Sequence, residues 1–150
     1  MKKLALILFT IVTLVSCKKD GYEISGTAKG VENGKKVFLE VPDENGQMVA
    51  LDTTVITDGN FKIEGKLLNG IELGFLKFEE NGSIPFILEN GDIDITFVKD
   101  STQNSTIGGT KNNDYFQSFN DLNKSITKKV IKFQTDNQDK YMQAMQAQDT

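Results

Sequence analysis

The chain has 150 residues, a formal charge of −4, 17 basic residues that are all lysine, 21 acids, one cysteine, and no arginine, histidine or tryptophan. An acidic, arginine-free chain lacks the basic footprint that nucleic acid needs and the charge that holds a peripheral protein on anionic lipid. The absence of histidine excludes Ser-His-Asp and Cys-His catalysis and histidine-bearing metal sites, and one cysteine excludes an internal disulfide.

The first stretch, Met1 to Cys17, reads MKKLALILFTIVTLVSC. Lys2 and Lys3 form a positive n-region, and Leu4 to Val15 is an apolar run broken only by Thr10 and Thr13. This is the pattern of a secretory signal peptide. The run is short for a membrane span, which takes ~20 apolar residues, so a retained transmembrane helix is the weaker reading. It closes on Leu14-Val15-Ser16-Cys17, which resembles the lipobox of bacterial lipoproteins. That resemblance implies removal of residues 1–16 and acylation of Cys17, leaving a domain anchored to a membrane by its first residue. Without Lys2 and Lys3, 15 lysines stand against 21 acids, a net of −6.

Residues 17–21 read as the lipidated cysteine and a polar tether, a solvated spacer in preference to a sorting signal. From Tyr22 the pattern has period two, the mark of half-buried strands. Tyr22, Ile24 and Gly26 alternate with Glu23, Ser25 and Thr27, and Asn33-Gly34 follows as a hairpin signal. Lys36 to Val41 is a second strand, closed by Pro42 to Gly46, and Met48 to Thr57 a third. Thr57-Asp58-Gly59-Asn60 leads into Phe61 to Leu67, where Phe61 and Ile63 face one way and Lys62, Glu64 and Lys66 the other. Asn69-Gly70 opens Ile71 to Phe78, Glu80-Asn81-Gly82 leads to Ser83 to Leu88, and Asn90-Gly91 leads to Asp92 to Val98. Pro85 cannot donate to a ladder, so its strand belongs at an edge or a bulge.

Strand-like segments with turn signals every ten or so residues point to a mainly β fold over residues 22–109, an antiparallel β-sandwich of seven or eight strands. No helix-length pattern separates them, so helical crossovers for a parallel sheet are not expected. After a polar loop at Asp100 to Asn104, the period changes at Thr110, a plausible N-cap. Phe116, Phe119, Leu122, Ile126, Val130 and Phe133 form one stripe of an amphipathic helix over residues 110–150. Such a stripe is expected to pack on a core. It weakens at Asn137, resumes at Tyr141, Met142 and Met145, and reaches Thr150 without a stop signal, reading as the start of a linker to a further domain.

Chemistry-bearing groups are few. Glu89, Asp92 and Asp94 cluster about one turn, and Asp43 and Glu44 about another. Paired acids run glycoside hydrolysis where one has a raised pKa, but acids at Asn-Gly turns and alternating strand positions read as a solvated face. Asp43 to Gly46 lacks the ligand alternation of an EF-hand loop, and Gly108-Gly109-Thr110-Lys111 lacks the first glycine of a phosphate loop. No cofactor or metal site is expected. Asp52-Thr53-Thr54 and Asp100-Ser101-Thr102 resemble the short O-glycosylation motif of Bacteroidetes, which marks Thr53 and Ser101.

Several motifs in fixed order carry a larger resemblance. Ile24-Ser25-Gly26-Thr27 precedes a Gly-Lys-Lys-Val-Phe-Leu strand, then come Leu51 to Val55, Asp58 to Lys62, Gly82 to Gly91, and Gly109 to Tyr115. Together, over Tyr22 to Phe119, they resemble the domain-of-unknown-function 4369 family. That resemblance implies the N-terminal β-rich module of Bacteroidetes lipoproteins, ahead of a helical linker and a thioredoxin-like thiol-disulfide domain. The Cys-x-x-Cys of such a domain is not in this sequence, so no redox role carries over to any residue. The expectation is a non-catalytic module in the cell envelope, periplasmic or outer-membrane associated and held by acyl chains on Cys17. The alternatives are a free-standing envelope protein binding a glycan, peptide or protein at the sandwich edge near Pro85 or its loops, and, remotely, an acid-pair enzyme.

Overall fold

A computed structural model describes residues 20–67 and 70–148. Cys17, the rest of the signal segment and Asn69 lie outside the described residues. The strands are β1 (Tyr22–Lys29), β2 (Lys36–Pro42), β3 (Met48–Val55), β4 (Asn60–Gly65), β5 (Glu72–Lys77), β6 (Ser83–Leu88), β7 (Gly91–Val98) and β8 (Thr106–Gly108). Short 3-10 turns lie at Glu79–Asn81 and Lys99–Asn104, and a helix, α1, runs from Lys111 to Gln148. The strands form two four-stranded sheets, ordered β4-β1-β7-β8 and β3-β2-β5-β6. This is the expected mainly β sandwich followed by one long helix.

The alternating residues face each other between the sheets. Ile24 lies opposite Ile63 on one side and Ile93 on the other, and all three are buried. The second sheet answers with Val37, Leu39, Leu76, Phe86 and Leu88, also buried. Phe78, just past β5, stacks on Phe97 of β7 at 3.8 Å between ring centroids and meets Phe61 of β4 edge-on at 5.4 Å. Each such side chain, once buried, contributes roughly 1.5–3 kcal/mol.

Strand pairing departs from a wholly antiparallel arrangement at one place. β1 and β7 run parallel, with Tyr22 opposite Gly91 and Lys29 opposite Val98. Among the described residues the connection between them contains no α-helix. It consists of β4 on the far edge of the same sheet and the whole opposing sheet, which does the spatial work of a crossover.

The Asn33-Gly34 turn is likewise not a hairpin, because β1 and β2 belong to different sheets. A turn with positive φ reverses the chain but does not decide which sheet the next strand joins. Here the Asn33 Oδ1 accepts the Gly59 N–H at 3.0 Å, tying this turn to the β3–β4 turn. True hairpins join β2 to β3 and β5 to β6. In the first, the Asp43 carboxylate accepts the N–H groups of Asn45 and Gln47, at 2.8 Å each. β3 carries a bulge at Leu51, since Leu39 opposes Asp52 while Glu40 opposes Ala50.

Pro85 lies on β6, an edge strand as its missing donor requires. The two open sides of the sandwich then differ. Helix α1 covers the side bounded by β6 and β8, while β3 and β4 bound the other.

Candidate functional site: the seam between sandwich and helix

The seam is built by side chains that complete backbone hydrogen bonds of two edge strands. Asn113 is fully buried. Its Nδ2 donates to the Ile87 carbonyl at 2.8 Å and its Oδ1 accepts the Ile87 N–H at 2.8 Å. A carboxamide carries one donor side and one acceptor side, so it substitutes for the missing neighbour strand at that residue. One helical turn on, the Gln117 Oε1 accepts the Ile107 N–H of β8 at 2.9 Å. Further along, the Lys124 ammonium donates to the Gln103 carbonyl at 3.0 Å and to the Asn104 Oδ1 at 2.6 Å. Phe116 adds the apolar contact, packing partly buried against the core.

The helix start is fixed by an acid. Glu89, directly after β6, accepts the Thr110 hydroxyl at 2.6 Å and the Asn112 Nδ2 at 2.7 Å. The Asn113 Nδ2 also reaches the Thr110 Oγ1, at 2.8 Å. A carboxylate beside the first turn complements the positive end of the helix dipole. Glu89 is therefore a structural acceptor at the helix entry. Asp92 and Asp94 are exposed, and Asp94 accepts a long bond, 3.4 Å, from the Ser25 hydroxyl.

The other marked residues fall elsewhere. Thr53 is exposed on β3, where its N–H donates to the Asp52 carboxylate at 2.6 Å. Ser101 is half-buried in the turn after β7, and its hydroxyl accepts the Asn104 Nδ2 at 2.7 Å. Cys17 lies outside the described residues. Among those residues no group of three or more Cys, Asp or Glu side chains is placed to hold a metal. No helix among them is long and apolar enough to cross a membrane.

The apolar stripe of α1 corrects the expectation that it packs on the core. Phe119, Leu122, Ile126, Val130 and Phe133 are all exposed, from 47% at Val130 to 69% at Phe133. The docked residues are Asn113, Phe116, Gln117, Asn120 and Lys124. At 3.6 residues per turn, Phe119, Ile126 and Phe133 lie about 120–160° around the helix from Asn113. The reason is polar. Two edge strands present unpaired backbone groups, each costing about 1–3 kcal/mol if buried without a partner, and the amides of Asn113 and Gln117 meet that demand where apolar side chains could not. Asn113 lies in the Gly109 to Tyr115 motif, but its clamping role and that of Gln117 escaped the sequence reading; their one signal was a pair of uncharged amides four residues apart at a helix start.

A second concave feature lies between the sheets where β1 begins. Tyr22, Val41, Leu51, Leu67 and Leu88, with Lys66 and Glu72, line a cavity of about 340 Å³. Burial, with the negative charges of Asp52 and then Glu72, pushes the Tyr22 phenol up from its ordinary value of 10.0. On β4, the Lys62 ammonium is pushed up by hydrogen bonds to Glu64 and Glu23. These groups hold and pair; none forms a nucleophile with its base.

A two-sheet sandwich closed along one side by a polar helix clamp defines the class. The chain belongs to the family whose model is described as Domain of unknown function (DUF4369), which matches residues 22–116. That span holds every strand and ends at Phe116, within the docked part of α1. No curated protein and no solved structure matches the chain.

Proposed function

We propose that this chain is a non-catalytic, lipid-anchored envelope module, the accessory domain of a thioredoxin-like thiol-disulfide lipoprotein. The observation that carries the reading is the placement of its two ends. Asp20 and Gly21 lead into β1 at the end of the sandwich where the Gly21 carbonyl accepts the Gly91 N–H at 2.9 Å. Helix α1 starts at that same end, at Glu89, and passes Gln117 and Lys124 toward the opposite one. From Lys124 to Gln148 it continues for about 36 Å at 1.5 Å per residue. A tether at one end and a helix leaving at the other suit a domain that stands between a membrane and something held beyond it.

The chemistry supports the same reading. The only cysteine is Cys17, at the end of a signal-like segment, and Glu89 is engaged in capping. Acyl anchoring is durable when more than one chain is attached. The test is fractionation of cells expressing the full chain. Wild type should sediment with membranes, and Cys17→Ala should move to the soluble fraction or stay unprocessed. Equal, processed membrane association of both would overturn the anchor.

A second reading has its own observation. The β3 edge is open and apolar, with Met48, Val49, Leu51 and Val55 all close to half exposed. Such an edge suits an extended peptide added as a further strand. The edge near Pro85, singled out in the sequence, is occupied at Ile87 by Asn113.

A further inference from the structure

We infer that the cavity where β1 begins binds a small organic amine, its ammonium at Tyr22 and Glu72 and its apolar body against Val41, Leu51 and Leu88. The site goes beyond the anchored-module reading and does not depend on acylation of Cys17. Its first mark is a break in the strand pattern. Glu72 of β5 stands opposite the buried Leu88 of β6, and Asp52 of β3 opposite the buried Leu39 of β2. Two carboxylates thus take core-facing positions where the alternation calls for apolar side chains. An inward charge on an edge strand guards against edge pairing, which accounts for Asp52, since β3 is an edge. It does not account for Glu72, because β5 lies inside its sheet.

The backbone makes the room. β2 and β5 pair only from Phe38 to Glu40 against Lys77 to Phe75. Beyond Glu40 the ladder stops, and Val41 and Glu72 line the cavity instead, joined by Leu51 from the bulge in β3. The volume of about 340 Å³ lies near the ~300 Å³ lower end of small-molecule pockets. Tyr22, on the same inward face as Ile24, is 6% exposed and lines this space. Its hydroxyl has no hydrogen-bond partner among the described residues, and it is not sealed in, so it opens onto the cavity. A buried phenol ordinarily finds a partner. The ring lies over Gly65, where any Cβ would collide with the hydroxyl.

Charge selects the ligand. Asp52 and Glu72 both act on the phenol, adding to burial in pushing it up. Neither carboxylate has a lysine within ion-pair distance among the described residues. Lys66, also on the rim, pairs with Asp20 at 3.6 Å. The field at the open hydroxyl is therefore negative. An ammonium carries several donors and no acceptor, so it can donate to the phenol oxygen and to the Glu72 carboxylate together. A carboxylate in the same place would meet like charge, and a neutral hydroxyl would leave Glu72 without a counter-charge. The apolar walls ask for a hydrocarbon body behind that head.

The test is calorimetric titration of the full-length protein in mild detergent at neutral pH, with detergent alone as the baseline. Three ligands of matched shape are compared: 2-phenylethylamine, 2-phenylethanol and 3-phenylpropionate. The amine should bind saturably, the alcohol at least ~10-fold more weakly, as expected for a lost charge-assisted hydrogen bond, and the carboxylate not at all. Glu72→Gln should weaken the amine by a similar factor. Leu51→Trp, at a position 43% exposed, should abolish its binding by filling the cavity. Circular dichroism verifies that both variants fold. No saturable binding of the amine to wild type overturns the site. Alcohol or carboxylate binding as tight as the amine overturns the selection for a cation. Wild-type affinity for the amine in either folded variant overturns its placement in this cavity.

Discussion

Asn113 of α1 takes both backbone hydrogen bonds of Ile87 on β6, donating to its carbonyl and accepting from its N–H, at 2.8 Å each. A side chain thereby finishes a sheet edge. Because it is fully buried, its loss exposes the strand's polar groups to no substitute partner. Asn113→Ala should lower the unfolding free energy by about 2–4 kcal/mol, given ~1–3 kcal/mol for each buried group left unsatisfied. Gln117→Ala, at a half-buried position with one bond to β8, should cost ~1 kcal/mol. Urea denaturation followed by circular dichroism measures both. Equal effects would mean that the clamp is not centred on Asn113.

The parallel pair at the heart of the first sheet sets a second expectation. Gly26 of β1 lies opposite Ile95 of β7, and a Cβ added there would collide with the Ile95 carbonyl. Backbone cannot move aside without disturbing the ladder. Gly26→Ala should therefore cost at least the ~1–3 kcal/mol typical of overpacking. Gly34→Ala meets no atom within 4 Å but must hold φ at +84°, a left-handed cost of about 1–2 kcal/mol. Thermal unfolding of the two variants should rank Gly26→Ala as the more damaging.

Alkaline pH should weaken the fold. Burial, then Asp52 and Glu72, raises the Tyr22 phenol above its ordinary 10.0. The unfolded chain then gives up that proton first, so the phenol's contribution is intact below pH 10 and falls as pH climbs through the folded value. Lys62, raised by Glu64 and Glu23, acts in the same sense over a neighbouring range, but on the surface, where ion pairs count for little. Denaturation midpoints between pH 8 and 11 should decline less steeply in Tyr22→Phe than in wild type. Parallel declines would remove Tyr22 from the account.

Much of the fold was legible because burial imposes period two directly on a strand. Phe61 and Ile63, and Ile93, Ile95 and Phe97, announced their buried face, and Pro85 announced an edge. Sheet membership was not legible. Asn33-Gly34 looks like a hairpin locally, yet β1 pairs not with β2 but with β4 and, some seventy residues on, with Gly91 to Val98 of β7, beyond the reach of any local pattern. The helix period showed a stripe but not what faces it. The docking face was chosen by the unpaired backbone of Ile87 and Ile107, a demand that exists only after the sheets have formed.

The proposed anchor rests on Cys17, and mass spectrometry of the protein purified from membranes reads it directly. The predicted result is a mature chain whose N-terminal residue is Cys17 carrying acyl groups, with residues 1–16 absent. A chain that still begins at Met1, or one that begins elsewhere with an unmodified Cys17, would contradict the lipid-anchored reading.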